Sequence, residues 1–304
     1  MTPGPEKPRV LHVITRLIVG GAQENTVDSV RALHARGWDV TLVTGPQTGP
    51  EGSLHEAATA TGARVIVEPH LVREIHPVHD LLALIRLRRL IRRERFDLVH
   101  THSSKAGIIG RWAARWARTP RIVHTVHGWG FHERQPPWLR RFYIGLERRA
   151  ARITDALIVV SGLDRDTGVR EGIAPEERFR TIRSAIDMER FAGGTEARDR
   201  LRTAWGIPPD GTVVGAVNRL SEQKNPLLFL EVAKRVCEAR PDVWFVLVGD
   251  GPLRARIEAG LPESGRVILT GLRRDIPEVL SALDLFLLTS DWEGLPRGLL
   301  QAVA

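Results

Sequence analysis

Two cationic side chains, Arg219 and Lys224, lie five residues apart directly after the apolar stretch 212–217. A short apolar stretch followed by a polar loop is typical of a buried strand that ends at a ligand-binding edge. A guanidinium and an ammonium group at this spacing can both reach one diphosphate, because each forms charge-assisted hydrogen bonds with phosphate oxygens. Two solvated cations on a loop would have the same spacing, so this pair alone indicates a phosphate site only weakly.

A second set of candidate residues lies at 293–296, between an apolar stretch and a helical pattern. Main-chain N–H groups of Gly294, Leu295 and the residues after Pro296 would lie at a helix N-terminus, which can bind phosphate, and proline suits the first helical turn. The Glu293 carboxylate can accept hydrogen bonds from sugar hydroxyls. Gln301 follows Glu293 by eight residues, so it lies near the same helical face if the helix begins at once.

Gly20 and Gly21 separate the first apolar stretch from a helical pattern. Backbone N–H groups and the helix dipole can face an anion at such a junction, although a tight turn would also need glycine. The stretch does not contain the G-x-G-x-x-G pattern, and no acidic residue closes the next strand, which argues against NAD.

His127 precedes Gly128 at the end of the apolar stretch 121–126. We interpret it as a hydrogen-bonding residue at the binding edge of the sheet, with a structural histidine as the alternative. Two further histidines, His124 and His132, lie close to it in sequence, but the spacing matches no zinc-binding pattern and no cysteine or aspartate completes a ligand set. We therefore expect no metal.

The elements that must position these residues alternate between strand and helix. Apolar Val/Ile/Leu-rich stretches separated by helical patterns predict parallel sheets that are covered on both faces, and the pattern restarts in the second half of the chain. The sequence thus predicts an α/β protein with two Rossmann-like, doubly wound domains. We expect a disordered tail at 1–8, an N-terminal domain at 9–187, a linker region at 188–211 and a C-terminal domain at 212–304.

The composition limits the kinds of protein to which this chain can belong. A chain of 304 residues suits two domains, and its single cysteine, Cys237, excludes an intramolecular disulfide. The N-terminus contains no signal-peptide pattern and the longest apolar runs are too short to span a bilayer, so we expect a cytoplasmic protein. Net charge is +10 over residues 1–185 and −2 over 186–304, which indicates an anionic partner for the first half.

Two arginine-rich helical stretches contribute to this basic charge. Leu81–Phe96 contains six arginines, and its pattern predicts an ordinary helix with a solvated outer face. Pro136–Arg152 holds five arginines around Trp138, Phe142 and neighbouring apolar residues, a combination that suits peripheral contact with an anionic membrane as well as an ordinary solvated helix. No nucleic-acid-binding module is present and the basic residues are spread over several helices, so we expect no nucleic-acid partner.

Seven stretches in this order resemble the family 4 glycosyltransferases of GT-B architecture, in which two Rossmann-like domains face a cleft. They are VGGAQ, THSSKAGIIGR, HTVHGWGF, IVVS, GAVNRLSEQKNP, VGDGPLR and SDWEGLPRGLLQAVA, and they span almost the whole chain. The HTHSSKAG and HTVHG stretches look particularly like enzymes of bacterial polysaccharide and lipid-linked oligosaccharide synthesis. The resemblance implies a retaining transferase that moves a hexose from a nucleotide-diphosphate donor to a glycan or lipid-linked acceptor. Together with the stretch Pro136–Arg152, it leads to the hypothesis of a peripheral enzyme at the inner face of the plasma membrane.

The resemblance also implies a role for each candidate residue. Arg219 and Lys224 would hold the donor diphosphate without a metal or other cofactor, and the main chain at 294–296 would add to that anion site. Glu293 would contact hydroxyls of the donor sugar, and His127 would line the sugar site from the N-terminal domain. Gly20 and Gly21 would bring the backbone close to the donor phosphate and the acceptor.

Two departures from the family pattern qualify this interpretation. Family members usually carry a glutamate at the position of Gln301, where it binds the nucleotide ribose, and they continue through several more elements, so we expect the second domain to be incomplete. The alternative is therefore a truncated, non-catalytic GT-B relic with weak or no donor binding. A third interpretation, a nucleotide-sugar epimerase, fits the Glu-Gly-Leu-Pro loop and the Arg219/Lys224 pair less well.

Overall fold

A computed structural model describes residues 7–47, 52–191 and 194–304, and its contacts divide the chain into two compact units. Of the described residues, 7–47 and 53–184 form the first unit, and 52, 185–191 and 194–304 form the second. The first six residues of the expected disordered tail lie outside the described residues.

The first unit is built on a seven-stranded sheet. Its strands are Arg9–Ile14 (β1), Asp39–Thr44 (β2), Arg64–Val67 (β3), Leu98–His102 (β4), Arg121–Val126 (β5), Ala156–Val159 (β6) and Phe179–Thr181 (β7). Its α-helices are Gly21–Ala35 (α1), His55–Thr59 (α2), Pro77–Glu94 (α3), Ser104–Ala117 (α4), Pro137–Ala151 (α5) and Gly162–Arg170 (α6), and a 3-10 turn spans Glu176–Arg178. The strand order is β3-β2-β1-β4-β5-β6-β7, and every pairing is parallel.

Helices cover both faces of this sheet, which explains why its strands are apolar along their whole length. Ala83, Leu87 and Ile91 recur every four residues on α3 and pack with α4 against one face. Val27 and Val30 of α1 belong to a separate cluster on the opposite face. The parallel, doubly wound architecture predicted from the alternating pattern is thereby confirmed for this unit.

A buried ion pair joins two helices of the first unit. Arg111 on α4 is fully buried, and its Nη2 lies 2.7 Å from Oε2 of Glu147 on α5, which is 7 % exposed. Its Nε donates a hydrogen bond of 2.8 Å to the carbonyl of Gly107. Since an unpaired charge at such depth is very costly, the two helices are constrained to keep these side chains together.

The second unit holds a four-stranded sheet. Its strands are Thr212–Val217 (β8), Val243–Val248 (β9), Val267–Gly271 (β10) and Leu285–Phe286 (β11). Its α-helices are Met188–Phe191 (α7), Thr195–Ala204 (α8), Pro226–Ala239 (α9), Arg254–Glu258 (α10), Ile276–Ser281 (α11) and Arg297–Val303 (α12), and a 3-10 turn spans Glu222–Lys224. The order is β10-β9-β8-β11, again with parallel pairings only, which confirms the second predicted parallel sheet.

The segment 188–211, which we expect to link the domains, contains α7 and α8. Leu201 on α8 and Ile207 after it are buried in a core cluster with strands β8 and β9. Arg202, also on α8, donates from its Nη2 to Asp284 over 2.6 Å, and Asp284 in turn accepts a hydrogen bond of 2.7 Å from the main-chain nitrogen of Val213. Most of this segment is therefore part of the second unit.

Two further observations concern membrane-spanning helices and the single cysteine. No helix within the described residues is both long and apolar enough to cross a bilayer. Cys237, on α9, is a free thiol buried in the core that α9 forms with β9.

Candidate functional site

In the second unit, two loops meet at the carboxyl ends of β8 and β11. These strands are parallel neighbours, so the loops that follow them leave the sheet at the same edge. The hydroxyl of Thr289 donates to the carbonyl oxygens of Lys224 and Asn225 over 3.2 and 3.1 Å, and the main-chain nitrogen of Asp291 donates to Gln223 over 2.9 Å. The two loops, far apart in sequence, are thus held as one structure.

Asn225 both caps helix α9 and connects the two loops. Its backbone is left-handed, with φ 45°, a conformation that asparagine tolerates better than most residues. Its side-chain oxygen caps α9 by accepting from the main-chain nitrogen of Leu228 over 3.2 Å, while its amide nitrogen donates to Asp291 over 3.2 Å. The residue before it, Lys224, is thereby held in a defined position.

The paired loops bring Lys224 and Glu293 into direct contact. The Lys224 ammonium donates a hydrogen bond to the Glu293 carboxylate, and the two side chains are 22 % and 17 % exposed. The sequence suggested these residues separately, as a phosphate-binding cation and a sugar-binding carboxylate. The structure places them together, so a ligand that uses one of them necessarily affects the other.

Four other predicted residues of this unit lie on the same two loops. Arg219 is half-buried at the start of the first loop, where its carbonyl accepts from the main-chain nitrogen of Ser221 over 2.8 Å. Gly294, Leu295 and Pro296 form the connection from Glu293 to α12.

Our expectation that one helix carries both Glu293 and Gln301 is wrong. Helix α12 begins only at Arg297, with Pro296 as its N-cap in an extended conformation. Glu293 therefore precedes the helix, and Gln301 lies within it. The one-face argument fails because it assumed helical rotation through the loop.

Sequence reasoning missed three polar residues on the same two loops. The side-chain amide of Asn218 and the hydroxyls of Ser221 and Ser290 have buried atoms that make no hydrogen bond within the described parts of the chain. Buried polar atoms without partners are uncommon in folded proteins, and they are expected where a ligand or water supplies the missing bond. The signal in the sequence was Asn218 itself, which replaces the glycine common in the resembled family.

The Gly-Asp-Gly stretch at 249–251 supports the loop that carries Arg219. A Cβ on Gly249 would collide with the carbonyl oxygen of Asn218, and one on Gly251 would lie 2.6 Å from that of Leu220. Both glycines have positive φ, 139° and 158°, and Leu220 donates from its main-chain nitrogen to Asp250 over 3.0 Å. The absence of side chains lets the Arg219-containing loop pack directly on this backbone.

In the first unit, Gly20 and Gly21 occupy the predicted position at the start of α1. Gly21 is the first residue of the helix and Gly20 is its N-cap. Glycine has no side chain that could accept a hydrogen bond from the main-chain N–H groups of the first turn. The φ of Gly20 is 175°, so its backbone does not require glycine. A Cβ there would approach only the flexible side chain of Gln23, at 2.9 Å.

His127 lies just beyond the carboxyl end of β5, followed by Gly128 with φ 129°. Its Nε2 is 3.1 Å from Nδ1 of His102, the last residue of β4. One ring nitrogen of His127 is therefore committed to another protein side chain.

The three histidines considered for a metal do not converge. His124 pairs in register with Thr101, whereas His102 pairs with Thr125, so His124 and His102 lie on opposite faces of the sheet. His124 accepts or donates a hydrogen bond of 2.9 Å with the Thr101 hydroxyl and contacts Gly107 of α4. Burial lowers its pKa well below the usual value, and the charge of Arg111 lowers it further.

A different set of histidines comes together on strands β1 and β4. His12, His100 and His102 share one face, and one ring nitrogen of each lies within 4.8 Å of the others. Burial lowers the pKa of His12 to about 4, and burial followed by repulsion from neighbouring imidazoles keeps the pKa values of His100 and His102 well below the usual range. Neutral imidazoles are the form that binds metals, so this set is the one to test for a metal.

The sequence matches two families of known proteins. Residues 19–190 match Glycosyltransferase Family 4, and residues 197–304 match Glycosyl transferases group 1. Among curated proteins, the chain is 34% identical over 302 residues to the UDP-Gal:alpha-D-GlcNAc-diphosphoundecaprenol alpha-1,3-galactosyltransferase of Escherichia coli. That alignment covers 97% of this chain and 77% of the relative.

Solved structures of the same architecture also superpose on the chain. HepE of Anabaena, crystallised with UDP and glucose, matches with a TM-score of 0.80 and 21% identity, over 96% of this chain and 77% of that one. WaaG, a glycosyltransferase involved in lipopolysaccharide biosynthesis, matches with a TM-score of 0.74 and 18% identity, over 97% and 78% of the two chains. At these identities the likeness shows the fold, and both proteins have the GT-B fold.

Proposed function

Because this chain belongs to glycosyltransferase family 4, we propose that it transfers a hexose from a nucleotide-diphosphate donor to a lipid-linked or glycan acceptor, with retention of the anomeric configuration. In this reaction the bond between the anomeric carbon and the phosphate oxygen breaks, and a bond to the acceptor oxygen forms on the same face of the sugar. The acceptor proton passes to the departing phosphate oxygen, so the protein need not supply a base.

The observation that carries the proposal is the Lys224–Glu293 pair, held between two tied loops. A diphosphate leaving group needs cations that are positioned before the reaction, since preorganised charges stabilise the transition state most effectively. Lys224 and Arg219 supply these cations in our proposal, and the main chain at 294–296 adds N–H donors. Glu293 then contacts hydroxyls of the donor sugar next to the same diphosphate.

Asn218, Ser221 and Ser290 support the same assignment, because their unpartnered buried atoms belong to the loops that carry the pair. In the first unit, His127 would line the sugar site, and Gly20 and Gly21 would allow the backbone near α1 to approach the donor phosphate and the acceptor.

Gln301 would meet the nucleotide ribose. A carboxamide can accept one hydrogen bond from a ribose hydroxyl and donate another, but it lacks the charge that makes carboxylate bonds roughly twice as strong. We therefore expect weaker donor binding than a glutamate would give, with the chemistry intact.

For the donor and acceptor, the support comes from the Escherichia coli relative, whose name specifies UDP-galactose and an N-acetylglucosamine diphosphoundecaprenol. We propose a UDP-hexose donor and a lipid-linked, diphosphate-bearing acceptor in the synthesis of cell-envelope polysaccharide. The basic first half of the chain suits this anionic acceptor.

The test is a transfer assay with UDP-galactose, UDP-glucose and a short-chain N-acetylglucosamine diphospholipid, read by mass spectrometry. We expect a product one hexose heavier, whose anomeric proton coupling in NMR shows the configuration of the donor. Lys224→Ala should abolish transfer, whereas Lys234→Ala, which changes a half-buried lysine on α9, should not. Donor binding without transfer to any lipid-linked or glycan acceptor would favour the non-catalytic alternative, and conversion of the sugar without acceptor would favour an epimerase.

Helix α5 has exposed side chains that can contact the membrane in which such an acceptor lies. Trp138 is 70% exposed and Phe142 is 48% exposed, and Arg141 between them is also exposed. Aromatic rings flanked by arginines favour the interface of an anionic bilayer. We propose peripheral attachment at the cytoplasmic face through this helix.

Liposome co-sedimentation tests the attachment. Binding should increase with the content of anionic lipid and fall in Trp138→Ala, while Leu228→Ala, which changes an exposed apolar side chain on α9, should bind like the unmodified protein. Binding that does not respond to anionic lipid would contradict this role of α5.

A further inference from the structure

A cavity of about 680 Å³ lies in the first unit, between helix α3 and the last turns of helix α4. This volume is within the range of sites that bind small molecules. Three arginines, two tryptophans and one isoleucine line it: Arg88, Arg115, Arg118, Trp112, Trp116 and Ile153. The lining therefore combines positive charge with indole rings and contains no carboxylate.

The cavity is separate from the candidate residues at the carboxyl edge of the sheet. Helix α4 begins after the carboxyl end of β4 and ends before the amino end of β5, and the cavity lies along its end, from Trp112 to Arg118. Ile153 likewise precedes the amino end of β6. Ligands of parallel α/β sheets bind at the carboxyl edge, so a ligand here would occupy a second site.

The chain around the cavity offers no carboxylate to balance its charge. No aspartate or glutamate occurs at 81–93 in α3 or at 98–132, which includes all of α4. Glu147 of α5 is already paired with a buried arginine. Asp97 and Asp155 lie at the amino edge of the sheet, where each accepts a main-chain hydrogen bond, of 2.8 and 2.7 Å. The carboxylates of this region thus have partners outside the cavity.

Two tryptophans form the main apolar part of the lining. Trp112 and Trp116 are four residues apart on α4, so they are neighbours on one side of the helix. Their ring centroids are 5.9 Å apart and their planes differ by 49°. Trp116 is 51% exposed, although tryptophan is highly buried on average. The tilted rings cannot enclose one flat group between them, but they can contact a ring or an acyl chain that lies over them.

The arginines reach the cavity from different parts of the chain. The Nε of Arg88 on α3 lies 3.5 Å from the carbonyl oxygen of Trp116, which places this guanidinium beside the last turn of α4. Arg118 follows α4 in the left-handed conformation, with φ 62°, where helices usually have glycine. Arg115 lies in the last turn of α4 itself.

The dipole of helix α4 explains only part of this arrangement. Cations in and after the last turn of a helix stabilise its negative end, which accounts for Arg115 and Arg118. It does not account for Arg88, which belongs to another helix, or for the indole rings beside these charges. A ligand that is both anionic and partly apolar accounts for all of them.

We propose that this cavity binds an organic phosphate, which is a phosphate ester that carries a ring or an acyl chain. Its phosphate would lie among the guanidinium groups, which form paired, charge-assisted hydrogen bonds with phosphate oxygens. The ring or acyl chain would cover Trp112 and Trp116. Nucleotides and the headgroups of anionic lipids share this chemistry, so the proposal concerns the phosphate ester and the experiment identifies its source. The proposal does not rest on the proposed function.

The test is a ¹⁹F NMR titration of the full chain labelled with 5-fluorotryptophan. The signals of Trp112 and Trp116 are assigned from Trp112→Phe and Trp116→Phe. The probes are inorganic phosphate, uridine, UDP, and dihexanoylphosphatidylglycerol below the concentration at which it forms micelles. We expect UDP or the lipid to shift both signals saturably, at concentrations about tenfold below those needed with inorganic phosphate, because the ring or chain adds contacts.

The probes also give the source of the ligand and the results that would overturn the proposal. Saturation by UDP would assign the site to soluble phosphate esters, and saturation by the lipid alone would assign it to a headgroup. No saturable shift with either organic phosphate would overturn the proposal. Equal affinities for inorganic phosphate and both organic phosphates would also overturn it, as would a uridine affinity equal to that of UDP.

A further control separates this cavity from the proposed donor site. Lys224→Ala should weaken UDP binding in the second unit and leave the shifts of Trp112 and Trp116 unchanged. Shifts that disappear in Lys224→Ala would show that they arise from the other site, and would overturn the proposal. Failure of sugar transfer would count against the proposed function alone, because the titration needs no turnover.

The left-handed residues at two helix ends provide a matched pair of variants. Arg118→Gly should keep its turn, because glycine adopts positive φ readily, and should weaken binding about tenfold through the loss of one charge-assisted contact. Arg95→Gly is the control, because Arg95 has φ 54° at the end of α3 but does not line the cavity. Should Arg118→Gly fail to fold, Arg115→Gln removes a charge from the lining within the helix. Affinity equal to that of Arg95→Gly in these folded variants would refute the assignment.

Discussion

The buried histidines predict that the first unit loses stability in mild acid. Burial lowers the pKa of His12 to about 4 in the folded state, whereas the unfolded chain has the ordinary value near 6.5. Between these values the unfolded state binds the proton and the folded state does not, so stability falls as the pH falls from about 7. The full loss of stability is reached only below the pKa that His12 has in the folded state.

The magnitude follows from the size of the shift. One pKa unit corresponds to about 1.4 kcal/mol, so His12 alone should remove roughly 1 kcal/mol between about pH 7.5 and about pH 5.5, and roughly 3 kcal/mol below its folded pKa. His100, His102 and His124 are shifted in the same direction and add to this loss. In the same unit, the lowered pKa of Glu94 confines its loss to lower pH, whereas burial raises the pKa of Asp164, so protonation of Asp164 favours the folded state as the pH falls and offsets part of the histidine effect.

The assay is urea denaturation across this pH range, with the unfolding of each segment read by pulsed hydrogen–deuterium exchange of peptides from β1 and β4. These peptides report the first unit even if the two units unfold separately. His12→Phe should show a shallower dependence on pH, whatever its absolute stability. His55→Gln, which replaces an exposed histidine, should keep the original slope.

A free energy of unfolding of β1 and β4 that stays constant over this range would refute the reasoning. It would mean that the imidazoles are protonated in the folded state or accessible to water.

Three further predictions concern individual side chains. Glu147→Gln should destabilise the first unit by about 3–5 kcal/mol in urea denaturation, because it leaves a buried guanidinium without its carboxylate, whereas Glu231→Gln in an exposed pair should cost less than about 0.5 kcal/mol. Gln301→Glu should tighten binding of the nucleotide-sugar donor in calorimetry; unchanged affinity would remove this residue from the ribose site. Glu293→Gln should leave UDP binding equal or stronger by about two- to fivefold, since Lys224 no longer has a competing carboxylate, while transfer is lost; weaker UDP binding would contradict the proposed division of roles.

Much of the candidate site could be located from the sequence. Parallel strands bind ligands at their carboxyl ends, so reading each strand–loop junction found Lys224, Glu293 and His127 without any coordinates. The motifs then indicated the family, which the similarity to known proteins confirms. The roles of the individual residues stay predictions.

Other features could not be read from the chain. The start of α12 at Arg297 depends on where the loop after β11 is tied to its neighbour, and the helical pattern alone placed the helix too early. The lack of a hydrogen-bond partner for the Asn218 side chain could not be predicted either, because it is a property of the packed loops.

The sequence by itself determined the alternation of strands and helices, the parallel sheets and the chemical types of the candidate groups, because hydrophobic periodicity and turn residues act over short distances. The tertiary structure decided which of these groups meet. His12 and His102 are 90 residues apart, and Lys224 and Glu293 are 69 apart. Only the order of strands in each sheet makes them neighbours, and burial between strands and helices sets the pKa values of the histidines that result.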